Sequence, residues 1–279
     1  MPLTRLIDPA TLAAHLDDPT WVVVDCRHAL GDFEAGRRLY ERGHIPGAFF
    51  ADVERDLAGA HTGSNGRHPL PDPQAFAAYL RGIGVSDGTQ IVAYDAGGDM
   101  FAARFWILSR WIGHGACAVL DGGIARWVAD GYPPATQIPQ PHHGSFEARV
   151  RSDVVVDASY VLDHLHDDAT LVVDARGADR FAGQNETIDP VAGHIPGARN
   201  RPFKENFTAD GRFKSAAELR AAFAPLGESR DIVHQCGSGV SGAVNLLSME
   251  IAGIPGSRLY AGSWSEWIAD PSRPIATGP

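Results

Sequence analysis

Residues 232–241 read IVHQCGSGVS, a short strand-like run that ends in a loop of small residues around one cysteine. The segment that follows, 243–252, has the composition of a helix. A strand, a tight loop and a helix in this order form an anion cradle, because loop N–H groups and the helix N-terminus converge on one point. The stretch therefore predicts a strand–loop–helix unit of an α/β fold, with the Cys236 thiol at the point of convergence.

A thiol held in such a cradle ionises readily. The pKa of a thiol falls from about 8.5 to roughly 3.5–7.5 at helix N-termini or beside cations, and the thiolate is the nucleophilic form. We therefore expect Cys236 to be the catalytic residue. Its negative charge needs hydrogen-bond donors, which the backbone of the following loop residues can supply: Gly237, Ser238, Gly239, Val240 and Ser241.

The same order of motifs occurs twice in the chain. Asp25 and Asp174 are 149 positions apart, and each ends a β-branched run. The motifs of the first half lie at residues 22–27, 43–48, 91–95 and 120–127, and those of the second half at 171–176, 193–198, 232–236 and 260–267. This spacing is domain-sized, well beyond the roughly 20–50 residues of solenoid repeats.

Short β-branched runs alternate with amphipathic helical stretches in both halves. The predicted helices include residues 73–80, 102–111, 216–223 and 243–252. Such alternation indicates an α/β fold, with two tandem domains that each contain a mostly parallel sheet flanked by helices on both faces. We place the N-terminal domain at residues 1–138, a proline-rich linker at 139–150 and the C-terminal domain at 151–279.

The duplication separates a reactive half from a supporting half. Aligning residues 91–98 with 232–239 places Asp95 opposite Cys236. An aspartate cannot perform thiol chemistry. We therefore expect an inactive N-terminal domain and a catalytic C-terminal one.

Composition limits the possible partners. The 279 residues are 44% hydrophobic and 21% charged, which is typical of a globular protein. A formal net charge of -10 argues against nucleic acid or an anionic membrane as the main partner. Three sparse cysteines suggest neither disulfides nor a metal site, and no apolar run approaches the roughly 18 residues of a membrane helix. We expect a cytoplasmic protein without a metal or other cofactor.

These motifs resemble the rhodanese superfamily, and within it the tandem-domain sulfurtransferases, most closely those that use 3-mercaptopyruvate. Residues 43–48 and 193–198 both read GHIPGA, 236–241 match the six-residue active loop, and 262–267 read GSWSEW. The resemblance implies a ping-pong reaction in which the cysteine takes a sulfur atom from a small-molecule donor. The resulting persulfide passes that sulfur to cyanide or a thiol, and a thioredoxin-like protein is one candidate acceptor.

The loop sequence bears on the identity of the donor. In this family, thiosulfate-preferring enzymes usually have basic residues after the cysteine, whereas 3-mercaptopyruvate enzymes have CGSGVT. The loop here is neutral and differs from that pattern only by Ser241 in place of threonine. Mercaptopyruvate is the expected donor, with thiosulfate as the alternative and a persulfide carrier for a protein partner as a third function. A phosphatase loop would be one residue longer and would end in arginine, where position 242 is glycine.

The resemblance also implies further site residues. Arg180 matches the arginine that binds the donor's anionic group. A second arginine lies before the GHIPGA motif in the mercaptopyruvate enzymes, but residues 185–192 read NETIDPVA and contain none. His68 matches a histidine from the first half of the chain, and Glu54 matches its acidic partner. With Ser238 they are expected to form a relay resembling a Ser/His/acid triad.

Four other residues receive structural roles. Cys26 and Cys117 lie in strand-like runs without an anion cradle and are expected to be inert. His44 occurs in the half that lacks the reactive cysteine, so we expect His44 and His194 to be structural. Asp25 and Asp174 are their predicted hydrogen-bond partners.

Overall fold

The computed structural model describes residues 1–140, 142–227 and 231–278, which form two compact units. One unit comprises Met1–Gly59, Pro71–Arg151 and Phe207–Phe213. The other comprises Ala60–Leu70, Ser152–Asn206 and Lys214–Pro279. The domain limits predicted above stay a prediction, and residues 141, 228–230 and 279 of those ranges lie outside the described part of the chain.

The first unit contains a sheet of five strands with the order β1-β5-β4-β2-β3, and every neighbouring pair is parallel. The strands are β1 (Leu6–Ile7), β2 (Trp21–Asp25), β3 (Phe49–Phe50), β4 (Gln90–Tyr94) and β5 (Cys117–Leu120). The helices are α1 (Pro9–Ala13), α2 (Ala35–Arg42), α3 (Pro73–Gly82), α4 (Phe101–Trp111) and α5 (Gly123–Ala129).

The second unit repeats this topology with the strand order β6-β10-β9-β7-β8, again all parallel. Its strands are β6 (Val155–Val156), β7 (Thr170–Asp174), β8 (Arg199–Asn200), β9 (Asp231–Gln235) and β10 (Arg258–Tyr260). Its α-helices are α6 (Ala158–Asp163), α7 (Ala178–Phe181), α8 (Ala216–Phe223), α9 (Gly242–Ile251) and α10 (Ser263–Trp267). Two 3₁₀ turns lie at Phe203–Asn206 and Ala224–Leu226.

Both faces of the second sheet are covered by helices. Alternate residues of a strand point to opposite faces. In β7, Leu171 and Val173 pack with Leu219 of α8 and Met249 of α9. Val172 packs in a separate cluster with residues of α6 and α10. This burial on two faces explains the near-continuous apolar strands, and the predicted α/β fold is confirmed.

The helix limits follow local signals in the sequence. The Asp72 carboxylate accepts the N–H groups of Gln74 and Ala75 at the start of α3. Ser215 and Glu218 form a reciprocal capping box at the start of α8. The four helices predicted from the sequence, α3, α4, α8 and α9, begin and end within two residues of their predicted limits.

The pattern Asp-x-Arg occurs twice in the chain and begins at the last residue of β2 and of β7. Arg27 Nη2 donates to Asp25 at 2.6 Å and to the Gly43 carbonyl oxygen at 2.6 Å. Arg176 Nη2 donates to Asp174 at 2.6 Å and to the Gly193 carbonyl oxygen at 2.7 Å. Each buried ion pair therefore holds the first residue of a GHIPGA motif.

The histidines of these motifs bind backbone carbonyl groups. His44 Nδ1 lies 2.8 Å from the Tyr40 carbonyl oxygen, and its Nε2 lies 3.1 Å from that of Gln137. His194 Nδ1 lies 2.8 Å from the Phe181 carbonyl oxygen. The prediction that Asp25 and Asp174 bind these histidines was wrong, because the two carboxylates bind Arg27 and Arg176 instead.

Within the described ranges, no helix combines the length and apolarity needed to cross a bilayer. No three His, Cys, Asp or Glu side chains of the same ranges are grouped so that they could hold a metal ion.

Candidate active site

Cys236 follows β9 directly, and the loop 236–241 leads from it into α9. Gly239 adopts φ +78°, and a Cβ atom there would lie 2.0 Å from the Ala261 carbonyl oxygen. Only glycine fits this position, because a side chain would meet both backbone strain and a clash. The tight curl brings the Gly239 N–H within 3.2 Å of Cys236 Sγ.

The GSWSEW motif holds the loop from its other side. Ser263 Oγ accepts the Cys236 N–H at 3.1 Å, and the Trp264 N–H donates to the Cys236 carbonyl oxygen at 3.0 Å. The Ser265 N–H donates to the Gly237 carbonyl oxygen at 2.9 Å. Because these bonds fix the loop carbonyl groups, the N–H groups of the loop can face the sulfur.

The cradle lowers the pKa of the Cys236 thiol. Burial opposes ionisation, but hydrogen bonds from the Ser241 side chain and from the backbone of Ser238 and Gly242 outweigh it. Ser241 precedes α9 without making a side-chain cap bond, so its hydroxyl is available to the sulfur.

The other two cysteines have no such cradle. Burial raises the pKa of Cys26 well above its ordinary value and that of Cys117 to about 12. Ionisation is therefore disfavoured at both, in contrast to Cys236.

His68 lies beside the loop, within the same compact unit. Its Nδ1 is 2.7 Å from Ser238 Oγ, and both residues are buried. Glu54 belongs to the other unit, where its carboxylate lies 3.9 Å from His28 Nε2. The structure thus forms the Ser238–His68 part of the predicted relay, and the Glu54 part stays a prediction.

Two arginines lie over Gly237. A Cβ atom built there would be 2.8 Å from Arg67 Nη2, and 3.6 and 3.8 Å from Arg180 Nη2 and Nη1. Burial lowers the pKa of Arg67, and the charge of Cys236 acts in the opposite direction, so the guanidinium is within electrostatic reach of the sulfur. Arg180 was predicted at this site, but Arg67 was not. In the sequence, only the position of Arg67 directly before His68 indicated that it could belong to the site.

Local contacts explain why Arg67 reaches the loop. The Arg67 N–H donates to Ser265 Oγ at 3.0 Å. Gly66 has φ +82°, and a Cβ there would lie 2.7 Å from the Gly262 carbonyl oxygen. The segment Ala60–Leu70 is therefore held against the same motif that fixes the cysteine loop.

Two carboxylates hold the guanidinium groups. Asp189 Oδ2 accepts from Arg180 Nη2 at 2.9 Å, and Asp189 Oδ1 accepts from Arg67 Nη1. Arg180 Nε donates to both oxygens of Glu186, at 3.1 and 2.9 Å. Burial works against ionisation of Glu186, but Arg180 and the Ile188 N–H keep the pKa of that carboxyl below its ordinary value.

A cavity of about 330 Å³ opens beside Arg67 and Asp189. This size suits a small molecule. Its lining combines the ion pair with apolar side chains, among them Ile188, Pro190 and Ile268. The cavity therefore gives a small anionic ligand access to Arg67.

Comparison with known proteins shows which family the chain resembles. The rhodanese-like domain model matches residues 8–130 and 157–270. The chain is 44% identical to a probable 3-mercaptopyruvate sulfurtransferase from Pseudomonas aeruginosa over 100% of both chains. It is 33% identical to a thiosulfate sulfurtransferase from Cricetulus griseus, covering 94% of this chain and 88% of the relative.

A solved structure gives the same result. SseA from Escherichia coli, described as a 3-mercaptopyruvate sulfotransferase with the rhodanese fold, has a TM-score of 0.84 and 35% identity. The match covers 95% of this chain and 100% of SseA. Because the two rhodanese-like domain matches cover most of the chain, this protein belongs to the rhodanese family.

Proposed function

We propose that this protein is a sulfurtransferase that moves a sulfur atom from 3-mercaptopyruvate to a thiol or cyanide through a persulfide on Cys236. The supporting observation is a thiol whose pKa is lowered in a cradle of N–H and O–H donors, beside two arginines. In this proposal residues 1–138 form an inactive domain, 139–150 a linker and 151–279 the catalytic domain.

The first half-reaction forms one bond and breaks one. The Cys236 thiolate attacks the donor's thiol sulfur, an S–S bond forms, and the donor's C–S bond breaks with its electron pair on carbon. The leaving group is the enolate of pyruvate, which takes up the proton that the donor thiol carried, so the persulfide is left as an anion. The guanidinium groups of Arg67 and Arg180 bind the donor carboxylate, and the persulfide anion inherits the N–H donors of the thiolate.

The second half-reaction returns the free enzyme. A cyanide or thiolate attacks the outer sulfur, the S–S bond breaks, and Cys236 leaves as the thiolate. Ser238 and His68, in hydrogen-bond contact at 2.7 Å, are placed to move a proton at the donor or acceptor. Glu54 is proposed as the third member of this relay, and a thioredoxin-like protein as one acceptor.

Steady-state kinetics with cyanide test the donor. We expect a higher kcat/KM for 3-mercaptopyruvate than for thiosulfate. A preference for thiosulfate above tenfold, about 1.4 kcal/mol in transition-state binding, would refute the proposed donor. Mass spectrometry after donor treatment should add about 32 Da to Cys236. Negligible cyanide activity with efficient transfer to one protein would favour the carrier function instead.

A further inference from the structure

The region around the two arginines is a balanced cluster of charges. Its cations are Arg67, Arg176 and Arg180, and its anions are Asp174, Glu186 and Asp189. Arg176 pairs with Asp174 at 2.6 Å and lies 3.6 Å from Glu186. Three positive and three negative side chains cancel, so two arginines beside the sulfur do not make this a strongly cationic pocket.

Asp189 is the member of this cluster that touches both loop-facing arginines. Its two oxygens bind different guanidinium groups, one on Arg67 and one on Arg180. Its side chain is only 1% exposed, although the residue lines the cavity. Asp189 therefore sets both the spacing of the two guanidinium groups and the net charge that a donor meets.

We propose that Asp189 is a specificity-determining residue that makes the site select a singly charged donor over a doubly charged one. The proposal rests on the sulfurtransferase function proposed above. Arg67 Nη2 and Arg180 Nη1 lie near Gly237 and do not donate to Asp189, so they can donate to one anionic group. Asp189 binds both guanidinium groups and repels each further negative charge that enters the site.

This assignment also explains how the segment 185–192 contributes without an arginine. It supplies the two carboxylates, Glu186 and Asp189, and the second guanidinium comes from Arg67, 122 residues earlier in the chain. Arg67 is therefore the second donor-binding arginine, and Asp189 is its positioning partner.

The test compares two donors in one set of variants. In Asp189→Asn, the ratio of kcat/KM for thiosulfate to kcat/KM for 3-mercaptopyruvate should rise at least about tenfold, because one negative charge is lost. Asp189→Glu keeps the charge and should keep the ratio within about threefold of the unmodified protein. Asp179→Asn is the matched control, since Asp179 is an exposed acid of α7 that bonds the Arg180 N–H rather than its guanidinium.

Three results would overturn the inference. One is an unchanged donor ratio in a folded Asp189→Asn protein. The second is an equal shift in Asp179→Asn, which would mean that any added positive charge has the same effect. The third is a loss of the donor preference in Asp189→Glu. If the unmodified protein forms no persulfide on Cys236 with either donor, the proposed function fails instead.

A measurement on the unmodified protein keeps the inference testable if Asp189→Asn does not fold. Pyruvate, with one charge, and malonate, with two, are compared as protectants of Cys236 against iodoacetamide at neutral pH. Pyruvate should protect at a concentration at least about fivefold lower. Equal or better protection by malonate would overturn the proposed charge selection.

Discussion

The loops after β4 and β9 stand at the same place in two sheets of the same strand order, and they differ in what fills the cradle. Each runs for six residues, 95–100 and 236–241, before a helix begins. In the first, Asp95 accepts the N–H groups of Gly97 and Ala102 at 3.0 and 3.1 Å. In the second, Cys236 Sγ accepts the Gly239 N–H at 3.2 Å. Both loops supply backbone N–H donors. Whether these donors bind a carboxylate or a sulfur depends on the side chain at the first loop position.

The difference also reverses the direction of the pKa shift. Burial, together with the nearby charge of Asp99, raises the pKa of Asp95 to about 6, although two N–H groups act against it. At Cys236 the hydrogen bonds outweigh burial and lower the pKa. In the first loop, the buried Asp95 side chain therefore accepts N–H groups of the loop itself and of the helix that follows it. The second holds a thiol whose ionisation its hydrogen bonds favour.

The largest expected effect is on the rate of sulfur transfer, which should depend on the second loop and not on the first. Cys236→Ser should reduce sulfur transfer to cyanide at least about 10³-fold, because a hydroxyl forms no persulfide. Asp95→Asn should retain the rate within about threefold, since the amide remains a hydrogen-bond acceptor in a loop without a nucleophile. Initial rates with excess donor measure both. A surviving rate in Cys236→Ser would show that another group carries the sulfur.

The next prediction asks whether a cysteine alone converts the first loop. In a Cys236→Ser background, Asp95→Cys should not restore sulfur transfer. The new thiol would be buried near the carboxylates of Asp99 and Asp25, which disfavour a thiolate. Its alkylation by iodoacetamide at pH 7 should be at least about 100-fold slower than that of native Cys236. Comparable rates would mean that the backbone cradle suffices.

A smaller effect is expected from the hydroxyl that the second loop adds. Ser241→Ala removes the side-chain donor and should move the alkylation midpoint of Cys236 to higher pH, because the hydrogen bond from Ser241 lowers the pKa of the thiol. The rate at pH 7 should fall about three- to tenfold, because less thiolate is present. Ser241→Thr, which keeps the hydroxyl, is the control. Identical pH profiles for the serine and alanine proteins would contradict this role.

The smallest effect concerns stability. The pKa of Asp95 is about 6 in the folded protein against 3.8 as the ordinary value, so the folded state holds this proton more tightly. Its contribution is fully present below pH 3.8 and is lost as pH rises through 6. Relative to Asp95→Asn, the unmodified protein should therefore lose about 2 kcal/mol of unfolding free energy between pH 4 and 7. Denaturant titrations of both proteins at pH 4 and 7 measure this loss. The same change in unfolding free energy in both proteins would refute the pKa shift of Asp95.

Local patterns were sufficient for most of the fold, and they predicted Cys236 as the nucleophile. The β-branched runs predicted the central strands, and the repetition predicted two sheets of the same kind. The loop 236–241 could be recognised because tight curls need small residues, and Gly239 does have no room for a Cβ. The histidine partners were missed, since the competition between His44 and Arg27 for Asp25 is decided by side-chain packing.

The sequence by itself determined the α/β fold and the duplication, and it predicted Cys236 as the reactive position, because each depends on residue types at short, repeated spacings. Only the tertiary structure decided the surroundings of the sulfur. Arg67 and Asp189 meet across 122 residues, and Ser238 and His68 across 170. No local pattern encodes such contacts, and the second was expected only from the family resemblance. They exist because Ser265 and Gly262 hold the segment Ala60–Leu70 against the loop, and buried charges there require partners.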